Sequence, residues 1–259
     1  MRKFLKTIVL FQSFLLIGTS CGSGNIFNCA SPLSYVKCEP ASPLEEAQKS
    51  LNNNQSDRAI ELLEQYQLDH PGDFSYYPLL AAAYAQKAGI DIFKMLDIGE
   101  ENEESEGAEP GETTTFMDTI GTFLPSPTDM TADAYQLSLT FLAQANTTLE
   151  AMPEEQREDA ATYPYAASAK FQLSLYTSAY GVMFLNQFVI PDLENPGEID
   201  LETLSYLSAA DAAIIIDSFT QAAGGGGPLS AGAQNILTQI ENSPGDTTEE
   251  KIQAYVQNN

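Results

Sequence analysis

The sequence predicts an all-α protein, with helical hairpins stacked into one solenoid-like or bundle domain. Three observations carry that reading. Apolar residues recur at helical spacing in segment after segment, an alternating strand pattern is almost absent, and clusters of Pro, Gly and Asn punctuate the segments. The pattern fits about seven to nine helices packed as antiparallel neighbours.

Residues 1–20 read as a secretory signal. Arg2, Lys3 and Lys6 form a basic head, and the apolar run Ile8 to Ile17 is broken only by Gln12 and Ser13. That run is short for a spanning helix. Cys21 sits where a bacterial lipoprotein carries its lipidated first residue, and it opens a Gly/Ser-rich tether through Asn25. Gly18, Thr19 and Ser20 precede it, so the Leu of the usual lipoprotein box is missing from its slot. Gly18 and Ser20 equally suit ordinary small-x-small cleavage, which would release an unlipidated chain at the same bond. Residues 21–41 form the tether, and Cys29 and Cys38 within it would pair as a disulfide in an oxidising compartment. Gly22 is not the Asp that retains lipoproteins at the inner membrane in enteric bacteria, which leans towards the outer membrane facing the periplasm.

The full chain has 259 residues and a formal charge of −25. Losing the three basic residues of the signal takes this to −28 over 239 residues, since residues 1–20 hold no acid. Such acidity argues against nucleic acid and against electrostatic docking on anionic lipid, both of which need basic patches.

The chain is organised around residues 42–98. Ser42-Pro43-Leu44-Glu45 reads as a capping box with Pro at the first helical position, and that helix should end in Asn52-Asn53-Asn54. A second helix begins near Ser56, carries Ala59, Ile60, Leu62, Leu63 and Tyr66, and stops at Asp69-His70-Pro71-Gly72. A third follows Asp73, with Tyr77, Leu80, Ala81 and Tyr84 as its buried stripe. This stretch resembles a tetratricopeptide repeat (TPR), whose period is about 34 residues. With the repeat opening at Glu39 or Pro40, Ala47, Ala59 and Pro71 fall on the family's small residues and closing proline. One period later, Tyr77, Leu80, Ala81 and Tyr84 fall on the Trp-Leu-Gly-Tyr positions of the first helix. The match then decays, because Phe93 replaces a small residue, so it covers roughly a fifth of the chain.

Residues 99–128 read as an acidic mobile loop. Asp97 to Thr115 holds eight acidic residues and no basic one, and it lacks the Asp-x-Asp-x-Asp-Gly spacing of a calcium loop. Phe116, Ile120, Phe123 and Leu124 form a short apolar piece that can pack back on the helices. Residues 129–223 form the helical core. Thr131 caps a helix striped by Tyr135, Leu139, Leu142, Ala145 and Leu149, and Pro153 to Asp159 is a polar turn or short helix. Pro164 opens a very apolar helix. No charge occurs from Phe171 to Ile190, where Tyr176, Tyr180, Phe184 and Phe188 crowd together. Gln172, Ser174, Thr177, Ser178, Asn186 and Gln187, with no basic flank, favour a central buried helix over a membrane span. Asp200 should cap a further helix that turns Leu201, Leu204, Leu207, Ile215 and Phe219 inward. Residues 224–259 form a Gly hinge (Gly224 to Gly227) and C-terminal helices from Ser230 and from Thr248, with a turn at Ser243 to Asp246.

Chemistry is sparse. His70 is the single histidine, and no Gly-x-Ser-x-Gly elbow, P-loop or His-Glu-x-x-His occurs. Neither a catalytic set, a cofactor nor a metal site is expected, and the chain reads as a non-enzyme. Two binding functions remain. One is a TPR-like scaffold that offers a groove to an envelope protein. The other follows from a resemblance to the TPR-type lipoprotein component found beside tripartite (TRAP) transporters, carried by the lipidation signal, the early helical pair and Leu79-Leu80-Ala81-Ala82-Ala83-Tyr84-Ala85. That resemblance implies an exported helical lipoprotein with a small-molecule cavity and a solute-binding or transporter partner. Tyr77 and Tyr84 are candidates for a groove or for the packing stripe. Tyr176 and Tyr180 are candidates for a cavity lining or for core.

Overall fold

The computed structural model describes residues 41–90, 121, 124–189, 204–225 and 227–258. The signal, Cys21, Cys29, Cys38, the acidic stretch and Asp200 lie outside them. The chain divides into two compact units, Met1–Ser42 and Pro43–Asn259, and the described helices belong to the second. Among the described residues all regular structure is helical: α1 (Pro43–Asn52), α2 (Ser56–Asp69), α3 (Tyr77–Lys87), α4 (Ala132–Glu150), α5 (Glu154–Glu158), α6 (Ala166–Asn186), α7 (Ala209–Gly224), α8 (Gly227–Asn242) and α9 (Thr248–Asn258). No described helix is long and apolar enough to cross a membrane.

Local chemistry sets most of the boundaries. α1 stops in the Asn run: Asn54 turns left-handed at φ 57°, its N–H bonds the Leu51 carbonyl at 3.0 Å, and the Gln55 N–H bonds that of Ser50 at 2.8 Å. α3 ends the same way at Gly89, whose φ is +89°, and buries Ile90 beyond it. The Thr131 hydroxyl accepts from the Ala134 amide at 3.3 Å and opens α4 as expected. α7 departs from expectation, because Ser208 and Asp211 form a reciprocal capping box that starts the helix at Ala209, well after Asp200. Leu204 and Leu207 precede α7 and are both buried, Leu204 with helical backbone and Leu207 in the non-helical link that leads to Ser208.

The helices pack largely in chain order. Each long helix touches its successor, with α6 following α4 across the short α5, and α1–α3, α3–α6, α6–α8 and α7–α9 also meet. Three apolar cores result. α1, α2 and α3 enclose Ala47, Leu51, Ala59, Leu63, Tyr76, Leu80 and Ala83. α3, α4 and α6 enclose a second core around Leu142, Leu149, Tyr176 and Met183. The third joins α6 to α7, α8 and α9 around Ile215, Phe219, Ile236 and Ile252. The predicted apolar piece does pack back at its one described residue, since Leu124 touches the second and third cores.

Two helices therefore serve two cores each. α3 buries Leu80 and Ala83 on one side and Ala81, Ala85 and Ala88 on the other, and its alanines let both neighbours approach the backbone. α6 is wrapped on nearly every side, as the charge-free run predicted. Its contact with α7 is close. The Ser174 hydroxyl donates to the Ala222 carbonyl at 2.9 Å, and a Cβ on Gly181 would lie 3.1 Å from Ser218 Cβ. The predicted glycine hinge is narrower than expected, since α7 runs to Gly224 and α8 begins at Gly227, ahead of Ser230. Gly225 lies so near α6 that an added Cβ would sit 2.5 Å from Ser174 Cβ.

These glycines should respond in opposite ways. Gly225→Ala forces α6 and α7 apart and is expected to destabilise by about 1–3 kcal/mol. Gly224→Ala meets no atom within 4 Å and should add about 0.5–1 kcal/mol of stability at the end of a helix. Paired urea denaturation curves check both.

Candidate functional site

The densest grouping of partly exposed polar and aromatic side chains surrounds the α2–α3 turn. His70-Pro71-Gly72-Asp73 ends α2, and Gly72 at φ +96° lets the chain reverse. Asp73 fastens the turn from both carboxylate oxygens: Oδ1 accepts from the Ser75 amide at 2.9 Å and Oδ2 from the Tyr66 hydroxyl at 2.7 Å. Burial pushes the Asp73 carboxyl up, but the bonds from Ser75 and Tyr66, helped by nearby His70, bring it below its ordinary value. The His70 ring stacks on Tyr66 at 4.1 Å. Tyr66 meets Tyr76 edge-on at 5.7 Å, Tyr76 lies 4.6 Å from Tyr77, and Tyr77 lies 5.3 Å from Phe74.

A second turn, between α5 and α6, stands at the same end. Asp159 Oδ1 accepts from the amides of Ala161 and Thr162, each at 3.1 Å. Tyr165 donates to Gln156 Oε1 at 2.7 Å and lies 5.8 Å from Tyr163. Burial, and then the charges of Tyr163 and Asp73, push the Tyr165 phenol up, so the two turns are within electrostatic reach. Tyr66, Phe74, Tyr77, Tyr163 and Tyr165 are all half-buried, leaving an aromatic end with ring edges in solvent.

The four tyrosines singled out by sequence all abut the second core, but they do not form one site. Tyr77 belongs to the aromatic end. Tyr84 lies across α2, where its hydroxyl donates to Glu64 Oε1 at 2.9 Å, and burial followed by that bond pushes its phenol up to about 12. Tyr176 is fully buried, its phenol pushed up by desolvation, and its hydroxyl has no hydrogen-bond partner among the described residues. Tyr180 is half-buried and begins a ladder of rings, 5.9 Å from Phe184, which lies 6.1 Å from Phe188. Every shifted phenol moves upward, so these tyrosines stay protonated at neutral pH and act as donors and stacking faces.

Sequence reasoning passed over Tyr76, Tyr163 and Tyr165. The available signal was a Tyr-Pro pair a few residues after an Asp in both turns: Asp73 before Tyr77-Pro78, and Asp159 before Tyr163-Pro164. Among the described residues no group of three His, Cys, Asp or Glu side chains is placed to hold a metal ion. Comparison of the chain with family models, curated proteins and solved structures returned no match.

Two substitutions probe this geometry. Tyr66→Phe removes one bond to Asp73 and should cost about 1 kcal/mol near neutral pH. Because the folded Asp73 carboxyl is depressed, its contribution is present above about pH 4 and fades as pH falls through the lower folded value. The wild-type and Tyr66→Phe stability curves should therefore converge in acid, as measured by denaturation against pH. Tyr176→Phe deletes an unpartnered buried hydroxyl and should leave stability unchanged or raise it by up to about 1 kcal/mol, read from thermal melts.

Proposed function

We propose that this chain is an envelope lipoprotein, anchored through Cys21 and facing the periplasm, that acts as a TPR-like scaffold for protein–protein interaction. The observation that carries the reading is the succession of three cores sharing α3 and α6 as common walls. Stacked hairpins of this kind bury each element against its neighbours and leave long outer faces for partners. The aromatic end supports it further, since tyrosine edges on an ordered turn suit the centre of a protein interface.

A second reading, an accessory component of a TRAP-type transport system that binds a small molecule, draws on a different observation. Asn146 Oδ1, Gln172 Oε1 and the Tyr176 hydroxyl are buried polar atoms without a partner among the described residues, and the Asn146 amide nitrogen donates to the Tyr176 carbonyl at 3.3 Å. A polar solute in the α4–α6 region would satisfy such groups.

Mild in-cell cross-linking of the tagged chain, with mass spectrometry of the captured proteins, tests both. The scaffold reading expects specific capture of envelope-assembly proteins above a control lipoprotein. Capture of a transporter subunit or solute-binding protein, with a co-purifying small molecule in native mass spectra, would replace it with the second. Fractionation of a Cys21→Ser variant tests the anchor, since its cleaved form should leave the membrane pellet.

A further inference from the structure

We draw no further inference here: the strongest candidate, the cluster of buried polar side chains Asn146, Gln172 and Tyr176 between α4 and α6, belongs to the second reading already described, and nothing among the described residues shows its three unpartnered atoms facing one cavity.

Discussion

The architecture depends on covering α6. A 21-residue helix with bulky apolar groups around its circumference must be covered over most of its length, and from Gln172 onward each of its residues is buried or half-buried. α3, α4, α5, α7 and α8 all pack on it. Its buried Ser and Thr hydroxyls do not oppose this, because they find backbone carbonyls, in contrast to Gln172 Oε1 and the Tyr176 hydroxyl. Thr177 donates to the Leu173 carbonyl at 2.7 Å, Ser178 to that of Ser174 at 2.8 Å, and Ser174 to Ala222 across the interface. Small side chains at Ser174, Ser178 and Gly181 also allow α7 to approach closely, so the same residues solve hydrogen bonding and packing together. Tyr135 secures the other side by donating from α4 to the Met183 carbonyl at 2.7 Å.

Charge contributes little to cohesion by comparison. The ion pairs Arg58–Glu61, Lys87–Asp57 and Lys170–Glu158 are all at least partly exposed, and such pairs are worth up to about 1 kcal/mol each. A single fully buried leucine such as Leu142 or Leu149 outweighs that, at about 2–5 kcal/mol on truncation to alanine. Lys87 gains a further role from its position, since its ammonium also lies 4.2 Å over the Phe141 ring and so ties α2, α3 and α4. With acids so far in excess over bases, the surface repels itself and the cores must absorb that cost.

Where hydrophobic spacing and capping chemistry acted locally, the fold was legible in the sequence. α2 occupies Ser56–Asp69 as its stripe predicted, and the α4 stripe from Tyr135 to Leu149 is buried at each position named. The alanines of α3 were harder to interpret. Ala83, Ala85 and Ala88 are as buried as Leu80, because the helix is flanked on two sides, and a one-sided periodic stripe does not describe that situation. The start of α7 was misplaced because the chain leaves helical geometry between Leu204 and Ser208, a break that buried leucines on either side of it do not signal. Ser208 and Asp211 carried the real signal. The candidate site was legible only in part. Tyr77 and Tyr84 stood out by spacing, but the grouping of Tyr66, Asp73 and Tyr165 depends on two turns far apart in sequence meeting at one end, which no local pattern encodes.

The shared wall at α3 also shapes how the molecule comes apart. α1 and α2 close only the first core, so lifting that hairpin away exposes Tyr76, Leu80 and Ala83 while Ala81, Ala85 and Ala88 stay sealed against α4 and α6. Opening therefore need not be all-or-none: it can stop at α3, with the remaining two cores intact. Amide protons would experience this as a gradient, exchanging soonest in α1 and α2, later in α3, and last along α6, where escape requires two cores to be undone.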